Sequence, residues 1–171
     1  LAVAATSWVM GIPGQKVTDG VKAFHGAGRR MEYKGEYHGA KVYDDYAHHP
    51  DELRATLEAV RGMGDHRIVL AFQPHTYTRT KLLMDDFIRE LQKADVVVLA
   101  EIYAARESNT IGISSADLAA QIPGSIYCET LQDVTDCLRS IVREGDIVLT
   151  MGAGDIFRAG EALLAGGDNE K

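Results

Sequence analysis

Cysteine is scarce in this sequence and long apolar runs are missing, and each feature excludes a class of protein. The two cysteines, Cys128 and Cys137, form neither a C-x-x-C metal knuckle nor a disulfide framework, which fits a reducing compartment. No segment approaches the roughly 18 uninterrupted apolar residues that span a bilayer. The apolar run at residues 1–5 lacks a charged n-region and a starting Met. We therefore interpret it as an interior piece of a longer protein and not as a signal peptide.

Positive charge and common catalytic signatures are also missing. The chain has 18 Lys and Arg residues against 25 Asp and Glu residues, a formal net charge of −7, and so lacks an overall positive field for nucleic acid. It contains no Walker A phosphate loop, no Ser-His-Asp context and no cysteine-nucleophile signature. Chemistry that needs ATP can therefore not be completed by this chain alone.

The composition that remains is that of an ordinary folded domain. Apolar residues make up 46% of the 171 residues and charged residues 25%, which excludes disordered, collagen-like and low-complexity classes. A chain of this length buries a core without disulfides or metal. We expect one domain with at most a second fragment attached.

Strand-like and helix-like segments alternate from about residue 67 onward. Short apolar runs predict buried strands at residues 67–72, 96–99 and 147–151, and the run at residues 125–128 predicts a further strand. Helical periodicity follows each run, at residues 83–91, 115–123, 131–141 and 155–164. Repeated strand–helix units predict a mostly parallel sheet that is flanked by helices and joined by right-handed crossovers.

The first part of the chain follows a different pattern. Residues 31–37 and 41–43 predict a hairpin, which adds an antiparallel edge strand to the sheet and completes a Rossmann-like α/β fold. A helix is expected to begin at Pro50. Residues 1–24 predict two short helices, and the glycine-rich residues that follow them form a plausible hinge. We place a boundary there, between a fragment of residues 1–28 and a main domain of residues 29–171.

The motif DDYAHHP at residues 44–50 concentrates two carboxylates and two imidazoles just before a helix. A carboxylate can accept hydrogen bonds from both hydroxyls of a ribose, and Tyr or His can stack on a base. Asp and His are also common metal ligands. N-capping with a solvated loop explains any single residue, but turns seldom hold so many titratable groups. We interpret the segment as a polar ligand site.

The motif QPHTYTRT at residues 73–80 predicts an anion site. Arg79 can bind a carboxylate or phosphate bidentately, and His75 can donate to the same anion. The structural alternative is a helix cap by Thr78 or Thr80 with Arg79 exposed. Ligands of open α/β sheets bind outside the carboxyl ends of the strands, so we expect this segment and DDYAHHP to meet at one edge.

Three further features are weaker. Residues 101–108 begin a long connection, which is either functional or carries a surface charge pair. Residues 152–155, GAGD, follow a strand as a phosphate cradle would, but they lack the full G-x-G-x-x-G pattern, so we favour a structural tight turn. Arg29 and Arg30 form either a solvated pair or a contact to a phosphate on a neighbouring domain.

Taken in order, these segments resemble the C-terminal domain of the Mur ligases. The resemblance rests on DDYAHHP, on FQPHTYTRT at residues 72–80, on EIYAARE at residues 101–107 and on GAGDI at residues 152–156. Their order and spacing agree over essentially the whole chain, and the first two are highly specific. Residues 1 to about 28 resemble the end of the family's central ATPase domain.

The resemblance implies one domain of a three-domain cytoplasmic ligase of peptidoglycan synthesis. Such an enzyme uses ATP and Mg²⁺ to convert the carboxylate of UDP-N-acetylmuramate into an acyl phosphate, which the amine of L-alanine attacks. The P-loop and the metal ligands of the family lie in its central domain, so the fragment is expected to be inactive alone. The C-terminal domain closes over the nucleotide and brings the amino acid, which expels water from the reactive intermediate.

The resemblance also implies roles for individual residues. Arg30 matches the arginine that reaches the ATP phosphates, and Asp45 matches the aspartate on the nucleotide ribose. Four residues match positions around the amino-acid and carboxylate end of the site: Tyr46, His48, His75 and Arg79. Thr76 departs from family members that carry a second arginine after the motif histidine, which leaves more of the anion contact to Arg79.

Three alternatives remain open from the sequence. One is a recycling ligase that attaches a whole tripeptide to UDP-N-acetylmuramate, although the motif after its third strand usually differs from QPH. Another is a free-standing nucleotide-binding or regulatory module. The last is a metal hydrolase that uses Asp44, Asp45, His48 and His49. The two adjacent carboxylates would point to opposite faces of an extended chain, so at most one is well placed for a metal.

Overall fold

In a computed structural model, which describes residues 2–24 and 26–167, the strands pair into one six-stranded sheet. The strands are β1 (Glu32–Tyr37), β2 (Ala40–Asp45), β3 (Ile68–Phe72), β4 (Val96–Ala100), β5 (Ile126–Cys128) and β6 (Ile147–Met151). The spatial order is β1-β2-β6-β3-β4-β5, with β1 antiparallel to β2 and every other pair parallel. The predicted hairpin and parallel sheet are both confirmed.

Helices connect the strands and cover both faces of the sheet. They are α1 (Ala2–Val9), α2 (Gly14–Ala23), α3 (Pro50–Arg61), α4 (Tyr77–Leu82), α5 (Met84–Leu91), α6 (Ser115–Ala119), α7 (Leu131–Ile141) and α8 (Phe157–Gly167). The predicted start of α3 at Pro50 is confirmed. Its first turn carries Asp51 and Glu52, whose negative charge suits the positive end of the helix dipole.

The side chains of β3 alternate between two hydrophobic cores. Ile68, Leu70 and Phe72 pack with α3, α5 and α6 on one face of the sheet. Val69 and Ala71 pack with α7 and α8 on the other face. Every residue of β3 is buried, because helices cover both of its faces. The fold is therefore a three-layer α/β/α arrangement, as the apolar strand runs predict.

Three element boundaries differ from the sequence-based expectation. The helix expected over residues 83–91 is preceded by α4 and begins only at Met84, because Leu83 leaves the helical conformation with φ −108°. Strand β2 continues to Asp45, so Asp44 and Asp45 are strand residues and do not lie in a loop. The last helix begins at Phe157 and not at residue 155, since the Gln73 side chain holds the amides that precede it.

The two N-terminal helices contribute no side chain to either core. Neither α1 nor α2 has a buried residue, and Trp8 and Phe24 are 82% and 68% exposed. The two helices contact each other and leave a groove of about 550 Å³ lined largely by apolar side chains. Within residues 2–24 and 26–167, no helix is long and apolar enough to cross a membrane.

Candidate functional site

The carboxyl ends of the parallel strands meet at one edge of the sheet, where the sequence motifs begin. Strand β2 ends at Asp45, β3 at Phe72 and β6 at Met151. The loops after β3 and β4 are joined by a parallel bridge between His75 and Tyr103. The rings of His48 and His75 lie 5.7 Å apart, so the expected convergence of DDYAHHP and QPHTYTRT is confirmed.

A row of aromatic and imidazole rings crosses this edge. The ring of Tyr46 lies 5.6 Å from that of His48, and His48 lies 5.7 Å from His75. The His75 ring stacks on Tyr103 at 5.7 Å with an interplanar angle of 22°. The guanidinium of Arg30 lies over the Tyr46 ring, 5.6 Å from its centroid, at the Tyr46 end of the row. Tyr46 and Tyr103 are each more than a third exposed, so the row is open to a ligand.

Two buried nitrogen atoms of the site have no hydrogen-bond partner among the residues that the structure describes. They are Nδ1 of His75 and Nη1 of Arg79. Burial lowers the pKa of His75, and the positive charges of Arg79 and His48 lower it further. A neutral imidazole beside a guanidinium can donate one hydrogen bond to an anion that the guanidinium neutralises. Buried polar atoms are nearly always paired in folded proteins, and two unpaired donors on neighbouring side chains are able to bind an anion together.

His48 is held between its own backbone neighbours and a carboxylate. Its Nδ1 lies 3.0 Å from the carbonyl oxygen of Tyr46 and 3.4 Å from Oε2 of Glu52. The same Oε2 accepts the amide N–H groups of His48 and His49, at 3.0 and 3.2 Å. Nδ1 of His49 caps α3 by accepting the Asp51 amide at 3.3 Å. The two histidines of the motif therefore have different roles.

Asp45 is buried at the end of β2, and backbone amides occupy both of its oxygens. Oδ2 accepts the Met31 amide at 2.9 Å, and Oδ1 accepts the Ala47 amide at 2.8 Å. Its exposed fraction is 4%. These bonds shape the turn that presents Tyr46 and His48, a structural role that sequence reasoning did not anticipate.

The adjacent arginines have opposite environments. The Arg29 guanidinium donates to Oδ2 of Asp44 at 2.7 Å and to the carbonyl oxygens of Gly152 and Gly154 at 2.7 and 3.0 Å. Arg30 is exposed and lies over the Tyr46 ring. Arg30 is thus the member of the pair that a ligand can reach.

The GAGD segment is a structural turn, as expected. Oε1 of Gln73 accepts the amides of Asp155 and Ile156 at 2.9 and 3.1 Å, so these N–H groups do not face a phosphate. A Cβ on Gly154 would lie 2.7 Å from Cγ of Tyr103, closer than real contacts allow. The glycine permits the turn to pack against the loop after β4.

The loop after β4 is fixed by two carboxylates. Glu101 accepts hydrogen bonds from the Tyr127 hydroxyl and the Ser115 amide. Glu107 accepts from both the amide and the hydroxyl of Thr78 at the start of α4, the helix that carries Arg79. These bonds lower the pKa of Glu107. Within residues 2–24 and 26–167, neither acid forms the surface charge pair that the sequence left open.

A metal site finds no support in the geometry. No group of three or more His, Cys, Asp or Glu residues that could hold a metal ion occurs within residues 2–24 and 26–167. Asp44 is occupied by Arg29 and by the hydroxyl of Thr150, which donates at 2.8 Å, and Asp45 by backbone amides. The Asp44 carboxylate is therefore engaged within the fold, and each oxygen of Asp45 already accepts one amide hydrogen bond.

The chain is similar to known proteins over nearly its whole length. The family model of the Mur ligase glutamate ligase domain matches residues 29–154. The UDP-N-acetylmuramate–L-alanine ligase of Lachnospira eligens is 46% identical over 168 residues, which cover 96% of this chain and 37% of that protein. The protein of the same name from Agathobacter rectalis is 45% identical, with the same coverage.

A solved structure gives the same result. The UDP-N-acetylmuramate–alanine ligase of Thermotoga maritima superposes with a TM-score of 0.80 at 26% identity, over 99% of this chain and 37% of that one. The chain thus spans little more than a third of the length of the relatives that it matches.

Proposed function

Because the chain belongs to the Mur ligase family, we propose that it is the C-terminal domain of a ligase that joins L-alanine to UDP-N-acetylmuramate. The whole enzyme would activate the muramate carboxylate with ATP and form an amide through an acyl phosphate. The division into residues 1–28 and 29–171 is part of this proposal. It is supported by the family match, which begins at residue 29, and by the lack of buried side chains in α1 and α2.

The observation that carries the proposal is the pair of unpartnered nitrogens on Arg79 and His75. An amino acid offers a carboxylate to such a pair and leaves its amine free to react. A charged hydrogen bond in a partly buried site contributes about 1.5–3 kcal/mol. Tyr46 and His48 flank the same site through the row of rings, which supports their assignment to the amino-acid end.

Two residues are proposed for the nucleotide. Arg30 is exposed at the junction of residues 1–28 and 29–171, where a guanidinium can reach phosphates bound on a neighbouring domain. Asp45 would accept a ribose hydroxyl through the lone pairs that its two amide bonds leave free. The Mg²⁺ ligands are proposed to lie elsewhere in the parent enzyme, whose location we propose to be the cytoplasm.

The apolar groove between α1 and α2 supports the domain division. Val3, Val21 and Phe24 are each more than half exposed along this surface. Exposed apolar patches of this kind mark contact surfaces. We propose that the groove packs against the remainder of the central domain in the parent enzyme.

The proposal is tested on the full-length parent protein by measuring phosphate release with ATP, Mg²⁺ and UDP-N-acetylmuramate. Release that requires L-alanine supports the proposal, and release only with the tripeptide assigns the protein to the recycling ligases. Arg79→Lys should raise KM for L-alanine about 10- to 100-fold, because the lysine cannot bind a carboxylate bidentately. The matched control is Arg139→Lys on α7, which lies away from the site.

A further inference from the structure

The hydrogen bonds of His48 fix which of its ring nitrogens carries the proton. Nδ1 lies 3.0 Å from the carbonyl oxygen of Tyr46, and a carbonyl oxygen only accepts hydrogen bonds. Nδ1 is therefore the protonated nitrogen of the neutral ring. Nε2 then carries a lone pair, on the side of the ring away from the backbone. Among the described residues, no hydrogen bond to Nε2 is formed.

The carboxylate of Glu52 lies next to Nδ1 of His48 and is held there by backbone hydrogen bonds. Its Oε2 accepts the amides of His48 and His49 and lies 3.4 Å from Nδ1 of His48. Burial opposes ionisation of Glu52, but these amides and the nearby positive groups outweigh it and lower its pKa. Glu52 also lies in the first turn of α3, where the helix dipole stabilises negative charge. A carboxylate in this position orients the imidazole and stabilises the imidazolium that forms when Nε2 takes a proton.

The other histidines of the site are poorly suited to accept a proton. His75 is buried beside Arg79, and both burial and that positive charge lower its pKa. His49 uses Nδ1 to cap α3. Oδ2 of Asp51 lies 3.7 Å from Nδ1 of His49, but that Nδ1 accepts an amide, so the neutral ring of His49 carries its proton on Nε2. His48 is the histidine of the three whose Nδ1 donates and whose Nε2 lone pair is available. The groups that face it are Glu52, the Tyr46 ring and His75.

The distance between His48 and the pair formed by His75 and Arg79 suits an α-amino acid. The His48 and His75 rings lie 5.7 Å apart, and one carbon atom separates the carboxylate of an α-amino acid from its amine. A carboxylate on His75 and Arg79 therefore leaves the ammonium group within reach of the His48 ring. This orientation of the bound amino acid rests on the proposed function, which identifies L-alanine as the substrate.

We propose that His48, positioned by Glu52, is the catalytic base that deprotonates the ammonium group of L-alanine. One N–H bond of the ammonium breaks, its electron pair stays on nitrogen, and the proton goes to Nε2. The neutral amine then forms a bond to the acyl carbon while the bond from that carbon to the phosphate oxygen breaks. The second amine proton leaves with the departing phosphate, so an amide, hydrogen phosphate and an imidazolium result.

The test uses two substitutions in the full-length parent enzyme and two nucleophiles. His48→Asn keeps a donor to the Tyr46 carbonyl but removes Nε2, and Glu52→Gln keeps an amide acceptor but removes the charge. Phosphate release is measured with ATP, Mg²⁺ and UDP-N-acetylmuramate, with either L-alanine or hydroxylamine. Hydroxylamine is neutral at pH 7 and needs no base. Glu58→Gln is the control, an exposed position on the same helix.

The proposal predicts a loss that depends on the nucleophile. With L-alanine at pH 7, kcat should fall about 100-fold in His48→Asn and about tenfold in Glu52→Gln, in the range of general-base effects. With hydroxylamine, both variants should match the parent and the Glu58→Gln control. The His48→Asn deficit should also shrink towards about pH 9, where solvent supplies more of the neutral amine.

Other outcomes refute the proposal in distinguishable ways. Equal losses with both nucleophiles would mean that His48 only shapes the site, and an unchanged kcat would mean that it takes no proton. A parent enzyme that releases phosphate with neither L-alanine nor the tripeptide would instead refute the proposed function, on which the proton transfer rests.

Discussion

Substitution of Arg29 by Met should destabilise the chain far more than the same substitution at Arg30. The Arg29 guanidinium forms an ion pair with Asp44, whose exposed fraction is 1%. It also donates hydrogen bonds to the carbonyl oxygens of Gly152 and Gly154. It also lies 5.0 Å from the centroid of the Tyr46 ring. Its removal leaves a buried carboxylate whose one remaining side-chain partner, within the described part of the chain, is the hydroxyl of Thr150.

The magnitude follows from the burial of the pair. Loss of one partner of a buried ion pair costs about 3–5 kcal/mol, because the remaining charge is uncompensated. The Arg29 side chain is 24% exposed, so water reaches part of the site, and we expect a loss of about 3 kcal/mol. In a chain of this size the midpoint of thermal unfolding should fall by about 6–12 °C.

Urea unfolding of the chain, followed by circular dichroism, measures this loss. Arg30→Met is the matched control and should change the free energy of unfolding by less than about 0.5 kcal/mol, as surface substitutions do. Asp44→Asn in the Arg29→Met background should recover about 1 kcal/mol, because it removes the unpaired charge. Equal losses at the two arginines would refute the assignment of Arg29 as the structural member of the pair.

Three further predictions concern the site loops and the second core. Gly154→Ala should lower the free energy of unfolding by about 1–3 kcal/mol, because its Cβ would collide with the Tyr103 ring; urea unfolding measures this. The pKa of Glu107 is lowered by hydrogen bonds from Thr78, so its contribution to stability is present above the ordinary carboxyl pKa and is lost as the pH falls. Glu107→Gln should therefore flatten the acid limb of the stability profile, measured as unfolding midpoint against pH. Burial raises the pKa of Cys128 to about 11, whereas an unperturbed thiol is about one tenth ionised at pH 8, so the Cys128 thiol should react about 100-fold more slowly with a chromogenic disulfide reagent.

Each of these predictions has a control within the chain. Gly20→Ala, at a site with open space around the added methyl group, should not destabilise the protein. Glu129→Gln at an exposed position should leave the acid limb unchanged. Cys137→Ser isolates the reaction of Cys128, and unfolding in urea should restore the normal rate. A Gly154→Ala protein as stable as the parent would contradict the predicted collision. An unchanged acid limb in Glu107→Gln would contradict the predicted role of the Glu107 carboxylate. A native Cys128 that reacts as fast as an unperturbed thiol would contradict the predicted effect of burial.

The strands of the sheet were predicted correctly from the sequence, whereas several ends of helices and strands were not. The run at residues 147–151 predicts a buried strand because four of its five residues are apolar and Thr150 is β-branched, a composition that suits burial on two faces. The break at Leu83 left no signal, since Leu83, Phe87 and Leu91 keep helical spacing across it. Strand β2 was expected to end before Asp44, because the polar segment that begins there was interpreted as a loop, and Asp is uncommon in strands.

The candidate site was found in part. Tyr46, His48, His75 and Arg79 come together as their motifs indicate, although their contacts with substrate stay a prediction. Tyr103 was missed as a member of the ring row, because its pairing with His75 joins two different strand ends. Glu52 was not among the candidate residues, because its contact with His48 depends on the turn that Asp45 fixes.

The amino-acid sequence by itself determined the layers, the strand direction and the loops that carry the chemistry. Apolar periodicity is a local property, and parallel strands bring their carboxyl ends to one edge whatever the details. Only the tertiary structure decided which of two neighbouring polar groups serves the fold and which faces a ligand. Arg29 is structural because its partner at Gly154 lies 125 positions away, and Arg30 has no comparable partner within the described residues. Buried polar groups must be paired, and the partners that pair them are supplied by distant parts of the chain.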